Sequence, residues 1–252
     1  MRLSAVLAAA VAAASAVAIF AAPAGATNEC RGLQVCVHVA GPWVVVPTAN
    51  AAPRARAEYQ LTCPKGYVVG GLDAELTDRA IDVTFQGLIG APVNPGITTS
   101  RTALFVATSA RTLASGATFR PHIGCMPSVG GGSRIPTVHQ VVPPGHPDTR
   151  RVTTVRVLPG PQTVTKACAA GETLVSATHA IGFFTTRPPT AALVSSVRSS
   201  QAIRGSRVFV SVHGDGAVVA VRAVVQVDLT CGGGACPSPS RSSCSRCSSS
   251  RS

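Results

Sequence analysis

Apolar and polar residues alternate with a period of two along several short stretches of the chain. Ile81, Val83 and Phe85 alternate with Asp82 and Thr84, the pattern of a half-buried strand. Val219, Val221, Ala223 and Val225 alternate, less cleanly, with Ala220, Arg222, Val224 and Gln226. Turn signals separate such runs: Pro92-Val93-Asn94-Pro95-Gly96, Arg187-Pro188-Pro189 and His213-Gly214-Asp215-Gly216. Beyond residue 26 no helical period with proper caps occurs. Abundant valine and threonine with 24 Gly and 19 Pro fit sandwiches, not helix bundles. The pattern predicts an all-β protein.

The exception is the N-terminus. Arg2 supplies a positive start, Ala5 to Ala22 is an uninterrupted run dominated by Ala and Val, and Ala24-Gly25-Ala26 offers small residues for cleavage. Residues 1–26 therefore read as a secretory signal helix, with a mature chain from Thr27. The competing reading is a retained N-terminal anchor. No later run is long enough to span a bilayer, so the cleaved chain is not expected to be membrane-spanning. The context of Cys30 is not that of a lipoprotein signal.

Two segments of the remaining chain share one plan. The first carries Trp43-Val44-Val45-Val46-Pro47, then Cys63-Pro64-Lys65-Gly66, the strand Leu104-Phe105-Val106-Ala107-Thr108, and a run ending in Cys125. The second carries Val155-Arg156-Val157-Leu158-Pro159, then Cys168-Ala169-Ala170-Gly171, the strand Val208-Phe209-Val210-Ser211-Val212, and a run ending in Cys231. The paired cysteines stand 62 and 63 residues apart. The expected architecture is two repeated, disulfide-closed β-sandwich-like modules at 27–126 and 151–231. A Gly/Pro-rich linker over 127–150 joins them, in which Val138-His139-Gln140-Val141-Val142 could add a strand. The Ser/Arg/Cys tail over 232–252 cannot bury a core and reads as disordered.

Export changes how the nine cysteines are read, because outside the cytosol paired cysteines are usually disulfides. The repeat predicts Cys63–Cys125 and Cys168–Cys231, and Cys30 and Cys36 close a local loop. Bridges over loops this long contribute on the order of 4 kcal/mol each in the chain-entropy view. Cys236, Cys244 and Cys247 are left to the tail. Cys244-Ser245-Arg246-Cys247 has the gap of a metal pair, but the tail holds no histidine to complete a zinc site.

Charge narrows the partners. The formal net charge is +12; loss of Arg2 with the signal leaves +11, and Arg241, Arg246 and Arg251 hold three of those charges in the tail. Arginine outnumbers lysine heavily but is spread along the chain, so no basic stripe forms. Only 4% of residues are aromatic, too few for a single-strand stacking surface, and no specific nucleic-acid contact is expected. Anionic envelope polymers, attracted by a diffuse positive field, or another protein are the partners this charge allows.

Catalytic patterns are lacking. His38, His122, His139, His146, His179 and His213 form no His-Glu-x-x-His or His-x-x-x-His pair, and no Gly-x-Ser-x-Gly elbow or phosphate loop occurs. Asp73, Glu75, Asp78 and Asp82 cluster in sequence, but their spacing matches no calcium loop. No catalytic, cofactor-binding or metal residue is assigned, and no cofactor. A dispersed hydrolase site is the alternative. It would show itself as a pocket bringing a serine or carboxylate to His38, His122, His139, His179 or His213.

Cys63-Pro64-Lys65-Gly66-Tyr67-Val68-Val69-Gly70-Gly71, with the closing Cys125, resembles uncharacterised secreted actinobacterial proteins. These carry a Cys-Pro-x-Gly…Gly-Gly opening and a β module closed by a terminal Cys. The second copy departs from the pattern, because Leu174-Val175-Ser176 replaces Val69-Gly70-Gly71. The resemblance implies secretion, the fold and the bridges, and no catalysis. Together these readings describe a secreted, non-enzymatic β protein of the cell envelope or extracellular space with a structural or binding role.

Overall fold

The computed structural model describes residues 28–33, 35–47, 56–86, 101–109, 113, 116–128 and 148–233. The signal segment, most of the linker with His139 and His146, and the tail cysteines lie outside the described residues. What is described is predominantly β.

The first half contains β1 (Val37–Ala40), β2 (Trp43–Val45), β3 (Arg56–Thr62), β4 (Tyr67–Leu76), β5 (Ile81–Gln86), β6 (Thr102–Ser109) and β7 (Thr118–Pro127). β7 is flanked on one side by β1 and then β2, and on the other by β4, all antiparallel. A separate sheet has the order β3-β6-β5. The second half contains β8 (Thr149–Arg156), β9 (Gly160–Ala167), β10 (Thr173–Phe184), β11 (Val197–Arg204), β12 (Arg207–Gly214) and β13 (Arg222–Gly232). β13 lies between β8 and β10. β11 and β12 form a hairpin, and β9 packs alongside β12.

A short pairing joins the halves. β2 reaches β10 through Val44 opposite Gly182 and Trp43 opposite Phe183, giving one seven-stranded sheet. Gly182 is required there, because a Cβ would lie 2.5 Å from Pro42 Cγ.

Alternation along the strands sends apolar side chains into two cores. The first gathers Tyr59, Leu61, Phe105, Phe119 and Ile123. Phe85 meets Phe105 edge-on at 5.3 Å between ring centroids. The second is built mainly of valine, with Val157, Val208, Val210, Val225 and Val227 around Phe183 and Leu229. β7 and β13 are buried along almost their whole length, as central strands covered on both faces must be. Disulfides link Cys30 to Cys36, Cys63 to Cys125 and Cys168 to Cys231, with Cα separations of 5.6, 5.8 and 5.7 Å. Three disulfides belong to an oxidising compartment.

Local structure departs from the sequence pattern in three ways. Residues 219–225 are not one strand: Asp215 caps a 3-10 turn over Gly216–Val219, its carboxylate accepting from Ala217 N, and β13 begins at Arg222. A one-turn helix α1 (Ala191–Ser195) follows Pro188-Pro189, capped by Thr190, which accepts from Leu193 N. Element ends also shift: Pro127, Thr149 and Arg150 belong to strands rather than to the linker, and Gly232 closes β13 rather than opening the tail.

Candidate functional site

The first cluster is built by a close approach of backbones. Gly71 on β4 and Gly124 on β7 are cross-strand neighbours. A Cβ on Gly71 would lie 1.7 Å from the Glu29 carbonyl oxygen, and one on Gly124 would lie 2.1 Å from it. Two facing glycines therefore leave a trough that seats the Glu29 backbone, just before the Cys30–Cys36 loop. Asn28 N donates to Asp73 Oδ2 at 2.6 Å and holds the start of that loop against β4.

Seating the loop buries the Glu29 side chain beside β1 and β7. Glu29 Oε1 is hydrogen-bonded to His38 Nδ1. His38 stands opposite Gly124, and His122, two residues before Gly124, projects from the same face of β7. The two imidazole centroids are 5.1 Å apart. Donor atoms of Glu29, His38 and His122 all lie within 4.8 Å of one another. The His122 side chain is only 3% exposed, whereas that of His38 is 46% exposed.

His122 is the unusual member. Its Nε2 is 2.9 Å from Glu75 Oε1, but out of line for a hydrogen bond, and neither ring nitrogen has a hydrogen-bond partner. Burial pushes its pKa below the usual histidine value, and the carboxylates of Glu75 and then Glu29 pull the other way.

The second cluster lines a groove of about 370 Å³ at the seam. Val45, Pro47, Arg56 and Ala57 come from the first half; Thr178 to Ile181, Val194, Val197, Ser199 and Gln201 come from the second. His179 Nε2 is 3.0 Å from Ser199 Oγ, and His179 Nδ1 is 3.0 Å from Gln201 Oε1. Gln201 Nε2 donates to the Ala177 carbonyl, which turns the amide oxygen toward the imidazole. That oxygen can only accept, so Nδ1 carries a proton, and in the neutral ring Nε2 is the acceptor for the Ser199 hydroxyl.

Beside the groove a polar network ties the halves together. Glu58 of β3 receives Arg150 Nη2 at 3.2 Å, Arg56 Nη2 at 2.8 Å and the Thr178 hydroxyl at 3.3 Å. Arg150 Nε is also 3.2 Å from Asp228 Oδ1, again out of hydrogen-bond line. Burial raises the Asp228 pKa to about 6, opposed by Arg150 and reinforced by Glu58. Gln226 completes the seam by accepting from Gln60 N and donating to the Gln60 carbonyl. Tyr59, beneath the seam, is raised to about 12 by burial, against the pull of Arg222 and a hydrogen bond with Thr154.

Among the histidines singled out in the sequence, His38, His122 and His179 meet a carboxylate or a serine. His213 is exposed on β12, and His139 lies outside the described residues. The acidic run disperses: Asp73 accepts from Asn28 and Ala74, Glu75 faces His122 and Arg120, and Asp78 accepts from Ala80 N. Cys168, Glu172 and Cys231 also come together, but both thiols are used in a disulfide. Sequence reading did not assign Glu29, His38, His122, His179, Ser199 or Gln201. One signal was available for the first three. Each stands one to three residues from a bridged cysteine, which pins it. No protein-family model, no curated protein and no solved structure matches this chain.

Proposed function

We propose that the protein is a secreted, non-enzymatic binding protein of the extracellular space or cell envelope, formed by duplication of one disulfide-closed sandwich module. Duplication is supported by matching ladders: β1 and β4 flank β7 as β8 and β10 flank β13, and a register shift falls at Val69/Gly71 and again at Leu174/Ser176. The resemblance of Cys63-Pro64-Lys65-Gly66 and the closing Cys125 to secreted actinobacterial proteins would imply the same reading.

The seam groove is the binding site, and its composition carries that proposal. Apolar walls from both halves meet the His179–Ser199–Gln201 group, with Arg56 and Thr178 also in the lining, the arrangement of small-ligand clefts at domain junctions. The occupant is a small amphipathic molecule whose head hydrogen-bonds His179, Ser199 or Gln201. Trp43, the single tryptophan, lies two residues from Val45 in the groove wall and reports on binding. Titration with octanamide and octanoate should change Trp43 fluorescence saturably in the natural protein. Ser199→Phe, which fills the groove, should abolish the change. An unaltered response in that variant would overturn the assignment.

One observation favours a second reading, a weak serine hydrolase. The Ser199–His179–Gln201 chain has the connectivity of a nucleophile, a base and an orienting group. A neutral amide orients the ring without stabilising an imidazolium, so turnover would be slow. Covalent labelling of Ser199 by a fluorophosphonate, lost in His179→Ala, would establish this reading; unlabelled protein would remove it.

A further inference from the structure

We propose that Glu29, His38 and His122 form a binding site for Zn2+, with three protein ligands and a fourth position open to solvent. Three donors already converge within 4.8 Å, two of them on neighbouring strands and the third immediately before the disulfide-closed Cys30–Cys36 loop. His122 carries the argument. Its buried ring has no hydrogen-bond partner at either nitrogen, an arrangement a protein accepts when another species takes the lone pair.

The donor chemistry selects the ion. Two imidazoles and one carboxylate suit Zn2+, whereas Ca2+ and Mg2+ require oxygen ligands. The nearby sulfurs of Cys30 and Cys36 are joined in a disulfide and offer no thiolate. Glu75, close to His122 Nε2, stands where ligating histidines have a carboxylate that fixes the ring. His38 is 46% exposed, so the site is open to solvent on its side. Zinc here would fasten the N-terminal loop to β1 and β7, beside the Gly71/Gly124 trough.

Isothermal titration of the chelator-stripped full chain with ZnCl2 tests this. We expect one equivalent bound, a higher melting temperature with zinc, and affinity at least 10-fold weaker in His38→Ala and in Glu29→Gln. His38→Ala alters a half-exposed side chain and keeps the fold testable if Glu29→Gln fails to fold. His213→Ala should bind as the natural protein does. Co2+ substitution should give visible d–d bands without the near-ultraviolet sulfur charge transfer that the tail cysteines would produce. Absence of stoichiometric binding, binding unchanged in His38→Ala, or a thiolate spectrum would each overturn the proposal.

Discussion

The two halves place different chemistry on the same ladder positions. His122 stands three residues before Cys125, and Asp228 three before Cys231. On the neighbouring strand, His38 faces the residue just before Cys125, and Arg150 faces the residue just before Cys231. Each pair is joined by a glutamate from outside the ladder, Glu29 in one half and Glu58 in the other. Both central strands thus bury an ionisable group on their outer face. In the second half a guanidinium lies between two carboxylates, and β3 of the first half covers it. In the first half two imidazoles and a carboxylate converge under the N-terminal loop, and the cation beside them, Arg120, pairs with Glu75 at 3.9 Å instead of lying between them. The two ladders thus carry a cohesive ion network at the seam and a cluster of three donors beside the N-terminal loop.

The bridges offer the strongest way to break this comparison. Each closes a loop of nearly equal length, 62 and 63 residues, so chain entropy alone gives each about 4 kcal/mol. Their surroundings differ. Cys63 and Cys125 are both buried under 2% exposure, but Cys168 is partly open. Paired replacement by alanine should cost slightly more at Cys63/Cys125 than at Cys168/Cys231, read by urea unfolding. Under graded dithiothreitol, mass spectrometry of alkylated peptides should find Cys168–Cys231 opening first of these two. The reverse order would show that the first half is the looser one.

Phe183 tests whether the halves unfold together. It is fully buried in the valine-rich core, yet its strand position faces Trp43 of the other half. Phe183→Ala should cost about 3 to 5 kcal/mol. If the seam couples the halves, a single transition moves to lower denaturant, and Trp43 fluorescence and far-ultraviolet circular dichroism shift together. Two separated transitions would mean that the Glu58–Arg150–Asp228 network does not couple them.

A swap of residues between the halves addresses the trough directly. Gly71 faces Gly124, whereas the corresponding pair in the second half is Ser176 and Thr230. Gly71→Ser must push the Glu29 backbone away, because any Cβ there would be 1.7 Å from its carbonyl oxygen. A loss on the order of 2 kcal/mol is expected, with faster amide exchange over residues 28–33. Ser176→Gly should cost less than about 1 kcal/mol, since it removes only side-chain contacts and adds chain entropy. Equal effects would deny the glycine pair its role.

Much of this was legible in the residues. The Phe-Val strands and the Cys-x-x-Gly turns lie in short local patterns, the cysteine pairs show in two matching long spacings, and the structure has strands there and bridges the same cysteine pairs. The replacement of Val69-Gly70-Gly71 by Leu174-Val175-Ser176 was visible too, but its consequence was not. Only the fold brings Glu29 over that spot. Long-range register hid the rest: His38 and His122 meet because β1 pairs with β7, and His179 meets Ser199 across two strands that no sequence period connects. The 3-10 turn at Gly216–Val219 was masked for another reason. Valines at alternating positions look like a strand until the Asp215 cap turns the chain.

The smallest effect is also the most diagnostic, since it concerns the ion network alone. Asp228 has its pKa raised to about 6 by burial, while Arg150 holds it down and Glu58 pushes it up. In the unfolded chain the same carboxyl titrates near its ordinary value of about 4. Between those two values the folded protein retains the proton and the unfolded chain has lost it. Stability from this group is therefore fullest below about pH 4, falls as pH rises to about 6, and is level above that. Asp228→Asn keeps the shape and removes the titration. It should match the natural protein near pH 4 and exceed it by on the order of 1 to 2 kcal/mol at pH 7, with Arg150 still paired to Glu58. Urea midpoints measured from pH 4 to 8 give the difference. A variant weaker than the natural protein at pH 7 would mean that Arg150 needs both carboxylates, and that the second-half network stabilises the seam rather than merely specifying it.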